Sequence, residues 1–274
     1  MHLRKRDLLG AEAKILLVCA KTMSRGLANR LAAEAKRNAS TPIAVSLTGR
    51  LALPTEIKQL PLAEFYDVLG GEVRTDRVFV ADLHRVMDEL GHNKLPKGLT
   101  GRPDDLLEAY VADCLQFLLE CPVRRFGHER RFERLPDGIA LGRSNLNVCF
   151  DTKAYGEQFH PQADDIRRFA SYVRDFNQRY QGYIGHISTF LVVSGALSGD
   201  IKAVKEKAND LIVECATPLV LIKAAHLAEA VQMVRPLPRH RAAINWRSVF
   251  VPEVFAPSRL AKELSRIRKD SVIS

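Results

Sequence analysis

The stretch Leu135–Tyr155 (LPDGIALGRSNLNVCFDTKAY) constrains the fold more than any other part of the chain. Two short apolar runs, GIAL and LNVCF, flank a turn-like GRSN. Apolar runs this short, bounded by turn-forming residues, read as strands, and the polar link between them reads as a tight hairpin. Directly downstream, PQADDIRRFASYVRDFNQRY has helical apolar spacing with a proline at its start. A β-β-α unit is predicted.

The same stretch carries the chemistry. Asp137 follows Pro136 and precedes the first strand, and thirteen residues separate it from Asp151 at the end of the second. That length lets a hairpin fold the two carboxylates together. Asp151 and Lys153 are two apart on a strand, so both point to one face. Thr152 points away, while its backbone carbonyl can still face a metal. Two carboxylates and a carbonyl suit a hard cation such as Mg²⁺, which offsets charge on a phosphate and lowers the pKa of water. An adjacent ammonium orients that water or stabilises developing charge. A D-x-K triplet alone is uninformative, because about one arises by chance in a chain this long. An exposed strand with a salt bridge has the same triplet. The PDG at hairpin distance and the helix that follows favour the arrangement of a PD-(D/E)XK nuclease.

Elsewhere the chain alternates strand-like and helix-like segments. KILLVC, then MSRGLANRLAAEAKRN, then TPIAVSL form one β-α-β pattern; TFLVVSG, DIKAVKEKANDLIVEC and TPLVLIKA form another. Residues 51–98 read as mainly helical with one strand-like piece, RVFVAD. HNKLPKGLTGRPDD is rich in Gly, Pro and polar residues and marks the expected boundary. Asp104 or Asp105 is then expected to cap a helix running LLEAYVADCLQFLLE. The resulting division is an N-terminal α/β accessory region over 1–98, a nuclease domain over 99–235 and a basic tail over 236–274.

The formal net charge is +9 in 274 residues. Residues 1–50 carry +7 and residues 236–274 carry +5, which leaves −3 in the middle. Basic ends around an acidic centre suit a polyanion partner and a cation site. Arg124, Arg125, Arg130, Arg131 and Arg134 flank the hairpin and are expected to contact phosphates, which positions a duplex without reading its bases. No apolar run reaches the ~20 residues that span a membrane, and no secretory signal is evident. The five cysteines lack C-x-x-C spacing, so free thiols in a reducing cytoplasm are expected. No Walker motif, H-x-x-x-H or H-E-x-x-H occurs. His128 and His160 lie near the hairpin and are expected as surface or DNA-facing residues.

The segments PDGIAL, VCFDTKAY, QADDIRRFASYVRDFNQR and TFLVVSGALSGDIKAV, in that order, resemble the cleavage domain of FokI, a type IIS restriction endonuclease. The resemblance covers roughly residues 104–230. It implies a PD-(D/E)XK restriction-endonuclease-like core, an α/β fold with a mixed central sheet flanked by helices, here carrying an N-terminal α/β extension. It implies Mg²⁺-dependent cleavage of double-stranded DNA, with Mn²⁺ expected to substitute. By the resemblance Asp137 and Asp151 are metal ligands, Lys153 is the catalytic lysine, and Glu108 falls on the helix that carries an acidic residue in this superfamily. It also implies a homodimer on DNA, paired through the helix after Pro161 by reciprocal salt bridges between Asp164 and Arg168. The hairpin is shorter than the family's, and no large recognition domain of that family precedes it, so a separate recognition protein or subunit is an expected partner. The competing readings are a catalytically silent DNA-binding module on the same fold, and a nuclease for repair, recombination or RNA.

Overall fold

The structure is a computed structural model that describes residues 15–19, 33, 42–46, 58–61, 75–127, 135–142 and 146–273. The chain divides into two compact units, Met1–Val73 and Arg74–Ser274. The division falls ahead of the 98/99 boundary expected from the sequence.

In the first unit, β1 (Ile15–Cys19), β2 (Pro42–Ser46) and β3 (Lys58–Pro61) form a parallel sheet in that order. The two strands of the first β-α-β pattern are thus present. The helix expected between them lies outside the described residues except at Ala33, which is helical. β3 falls where mainly helix was expected.

The second unit opens with a 3-10 helix (Thr75–Phe79) and α1 (Leu83–Gly91). RVFVAD is therefore not a strand. Its alternation reflects contacts with a helix: Val78 is fully buried, Arg77 pairs with Asp113 at 2.9 Å, and Phe79 meets Phe117 edge-on at 5.7 Å. Asp113 and Phe117 both belong to α2 (Pro103–Leu119). Pro103 occupies the first helical turn, so Arg102 takes the N-cap position. Asp104 and Asp105 fall inside that turn and do not cap it as expected.

A mixed five-stranded sheet follows, as expected. Its strands are β4 (Val123–Arg125), β5 (Gly138–Leu141), β6 (Asn147–Lys153), β7 (Ile187–Ser194) and β8 (Leu219–Lys223), in spatial order β4-β5-β6-β7-β8. The first three pair antiparallel and the last three parallel. β6 is followed by α3 (Ala163–Ile184), β7 by α4 (Ile201–Cys215) and β8 by α5 (Ala224–Val234). The parallel pairs β6–β7 and β7–β8 require crossovers, which α3 and α4 supply.

Side-chain alternation sorts the two faces. Val148, Phe150, Leu191, Val193, Val220 and Ile222 join one core with α1, α2 and α5. Cys149, Phe190 and Val192 face the other way, where Phe169 of α3 stacks on Phe190 at 4.5 Å. Asp151 stands beside Val192 in the ladder and so points toward α3. The C-terminal segment completes the first face. A 3-10 helix (Pro238–Ala243), α6 (Trp246–Val249) and α7 (Pro257–Ile273) pack there through Trp246, Leu260 and Leu264. Cys114, Cys121, Cys149 and Cys215 are free thiols. No helix among the described residues is long and apolar enough to cross a membrane.

Candidate active site

The site lies where β5 ends and β6 continues. The last antiparallel pair is Gly138 with Phe150, so one further step sets Asp137 opposite Asp151. Beyond that step β6 stays paired to β7 through Lys153 but has lost its β5 neighbour. Its exposed edge needs hydrogen-bond partners. Asp137 supplies one: the Thr152 N–H and the Thr152 hydroxyl each donate to Asp137 Oδ2 at 2.7 Å. Thr152 does point away from Asp151, yet its side chain is part of the site because it fixes the Asp137 carboxylate. Upstream, Phe126 N–H and Gly127 N–H donate to the Asp137 carbonyl at 2.7 and 3.2 Å, which locks the turn that delivers the carboxylate. Gly138 is glycine for a steric reason. A β-carbon there would overlap the Phe150 ring and the Arg124 carbonyl.

Lys153 donates from Nζ to Asp151 Oδ2 at 2.5 Å, and both side chains are largely buried. Asp137, Asp151, Thr152 and Lys153 line one cleft of about 300 Å³ with Asp104, Asp105, Glu108, Gly127, Arg168 and Tyr172 among its walls. Burial pushes the Asp137 carboxyl up to about 8, and the charge of Asp151 adds to the rise; the Thr152 hydrogen bonds oppose it. Burial alone would drive the Lys153 ammonium toward neutrality. The charge and hydrogen bond of Asp151 outweigh that effect and hold Lys153 above the ordinary lysine value.

These features fit a divalent cation. Burial first, and the neighbouring Asp151 charge second, hold the Asp137 carboxyl protonated, and a dication bound between the two carboxylates would offset both effects. Among the described residues no cluster of three or more His, Cys, Asp and Glu side chains could hold a metal. Asp137 and Asp151 are two carboxylates that this cleft offers a cation, and Mg²⁺ needs few protein carboxylates because it keeps several waters. Glu108 is buried on α2 and lines the cleft, but one oxygen accepts from Arg125 Nε at 2.8 Å. Glu108 and Asp137 meet across Gly127, where a β-carbon would overlap the Glu108 carboxylate and come within 3.0 Å of Asp137 Oδ1.

The other expected residues are placed as follows. Arg125 is held by Glu108 and by the Asp105 carbonyl at 3.4 Å, so it braces β4 against α2. Arg124 is half-buried on the same strand. Arg130, Arg131, Arg134 and His128 lie outside the described residues. His160 is half-buried. Asp164 and Arg168 lie in the first turns of α3, where Asp164 accepts from Arg167 at 2.6 Å and Asp165 from Arg168 at 2.7 Å. Gly127, Asp165 and Tyr172 were not anticipated. Tyr172 is one helical turn beyond Arg168, so helical spacing from that residue would have found it. Nothing local marks Gly127.

A family model described as the FokI cleavage domain matches residues 93–242, more than half of the chain. The chain belongs to the FokI cleavage-domain family. The solved structure of restriction endonuclease FokI aligns with a TM-score of 0.49 and 17% identity over 76% of this chain and 36% of that one. FokI bound to DNA aligns with a TM-score of 0.48 and 17% identity over the same shares. The chain spans about a third of the length of the FokI structures that it matches. No curated protein matches the chain.

Proposed function

We propose that the chain is a Mg²⁺-dependent endonuclease of restriction or defence type that cleaves double-stranded DNA. The observation that carries this reading is the convergence of Asp137 and Asp151 at opposed ladder positions, with the Lys153 ammonium bound to Asp151. Asp137, Asp151 and the Thr152 carbonyl would hold the cation. A bound Mg²⁺ supplies positive charge against the phosphate and lowers the pKa of water; Mn²⁺ does the same. Thr152 keeps Asp137 in place through two hydrogen bonds, and Arg125 keeps Glu108 against the same cleft. Lys153 enters as a cation. Its part is to orient water and to stabilise charge that develops on phosphate oxygens.

Arg124, Arg130, Arg131 and Arg134 are the proposed phosphate contacts; Arg125 serves them only if it leaves Glu108. These contacts position a duplex and do not read it. Sequence choice is assigned to a separate recognition protein or subunit, and the working compartment to the cytoplasm. Two such domains are proposed to pair on DNA through α3. A catalytically silent DNA-binding module has no need of Asp137, Asp151 and Lys153 together, which favours turnover.

The test is conversion of supercoiled plasmid, with Mg²⁺ and with EDTA, and of an RNA duplex in parallel. Wild type is expected to cut DNA with Mg²⁺ and not with EDTA. Asp137→Ala and Asp151→Ala should lose metal binding and cleavage. Lys153→Ala should keep metal binding and lose at least ~10²-fold in rate. A Lys153→Ala variant that cuts at the wild-type rate refutes the assignment.

A further inference from the structure

The cleft has a second wall that the assignment above leaves unused. Arg168 and Tyr172 are four residues apart on α3, one helical turn, and both line the cleft that holds Asp137, Asp151 and Lys153. The Arg168 side chain is 45% exposed and anchored by one terminal nitrogen to Asp165 Oδ1 at 2.7 Å. Its guanidinium stands 5.7 Å from the centre of the Phe169 ring. A guanidinium carries five N–H donors in a fixed fork that matches phosphate oxygens. Asp165 anchors the fork and leaves donors for an incoming anion. Tyr172 is 9% exposed and presents a phenol to the same space. Arg168 opposes the positive charge of Lys153 across the cleft. Asp104, Asp105, Glu108, Asp137 and Asp151 line the same cleft, so a phosphate would enter with a cation on the carboxylates, and Lys153 and Arg168 then flank it with positive charge.

We propose that Arg168 and Tyr172 form a phosphate clamp facing Asp137, Asp151 and Lys153: the guanidinium holds the non-bridging oxygens of the phosphodiester and the phenol O–H donates to the same group. Asp165 positions the guanidinium. Burial, aided by the charge of Asp151, raises the Tyr172 pKa, so the phenol remains a neutral donor at physiological pH. The clamp rests on the nuclease reading but not on dimer formation.

Two measurements test it. The first is duplex binding in Ca²⁺, which favours binding over turnover, across a KCl series. Arg168→Ala should lower the slope of log affinity against log salt by about 0.9, the share of one phosphate contact. The second is the single-turnover rate of plasmid nicking in Mg²⁺ over a range of protein concentrations. Arg168→Ala should fall roughly 10²-fold at every concentration, Arg168→Lys should recover part of the loss, and Tyr172→Phe should fall roughly tenfold. An unchanged salt slope overturns the clamp. So does an Arg168→Ala enzyme that nicks like wild type, or one whose deficit disappears at high protein concentration, which would mark Arg168 as an interface residue alone. If wild type does not nick in Mg²⁺, the nuclease reading fails and the salt slope still decides the clamp.

Discussion

Gly127 shows how closely the two sides of the cleft approach each other. The Glu108 carboxylate occupies the space that a β-carbon at this position would take, and Asp137 Oδ1 lies 3.0 Å from that point. Gly127→Ala must push one carboxylate aside, and overpacking of this kind costs about 1–3 kcal/mol. The expected outcome is a stable but slower enzyme, down at least ~10-fold in Mg²⁺, with weaker metal binding by calorimetry. Wild-type metal affinity in Gly127→Ala would mean that the cradle has slack. Asp137 makes a second residue-scale prediction. Its carboxyl is held protonated in the metal-free fold up to about 8 and ionises near its ordinary value of 3.8 when unfolded. Between those values the folded state binds one more proton than the unfolded state. Stability therefore falls as pH rises, by up to about 1.4 kcal/mol per pH unit for one proton. In EDTA, denaturation midpoints from pH 5 to 8 should decline more steeply for wild type than for Asp137→Asn, and saturating Mg²⁺ should flatten the difference. Parallel curves for the two proteins in EDTA would refute the burial argument.

Among the elements, α1 decides what counts as the nuclease unit. Leu83, Met87 and Leu90 are fully buried, and the Gly91 carbonyl accepts from Tyr155 N–H at 3.1 Å and Gly195 N–H at 3.2 Å. Those bonds tie α1 to the ends of β6 and β7, just past Lys153. A chain cut to residues 99–274 loses all of this, at about 2–5 kcal/mol for each large apolar side chain removed from a core. That exceeds what a marginally stable domain can lose. We expect residues 75–274 to fold cooperatively, as read by circular dichroism and calorimetry, and residues 99–274 to aggregate or remain unfolded. Two-state melting of the shorter piece at a similar temperature would place the true boundary near 98. The sequence suggested that later boundary because a Gly- and Pro-rich loop looks the same whether it joins two domains or two helices of one. RVFVAD misled for a related reason. A period of two records which side chains are buried, not whether a neighbouring strand or a helix buries them. β5, β6 and α3 were legible because turn residues, short apolar runs and helical spacing all act within one hairpin and its following helix. Asp137, Asp151 and Lys153 were legible with them, because a hairpin brings them together by local chain geometry. Gly127 reaches the cleft only through tertiary packing, and nothing within a few residues records it; Tyr172 is marked only by its helical spacing from Arg168.

At the scale of the whole molecule, under the proposed function one cleft would cut one strand, so a double-strand break would need two copies or two events. The family resemblance assigns pairing to the start of α3 through Asp164 and Arg168. A two-fold axis there would set each side chain against its counterpart's opposite charge. In the single chain these residues have local partners. Asp164, 90% exposed, is bound to Arg167, and Arg168 to Asp165. An exposed ion pair such as Asp164–Arg167 is worth at most about 1 kcal/mol, so Asp164 exchanges readily for a partner across an interface, while Arg168 keeps donors to spare beside Asp165. Asp164→Arg alone and Arg168→Asp alone should each prevent self-association, because like charges then face each other across the axis. An equimolar mixture of the two should associate as a heterodimer. The readout has to be sedimentation on a DNA duplex in Ca²⁺ rather than cleavage alone, because Arg168 also lines the cleft. If the clamp is correct, the mixed dimer contains one intact cleft and one that has lost its guanidinium, and it should give mainly nicked circles. Wild type in the same assay should give linear product. Single variants that sediment as dimers would move the interface off this helix.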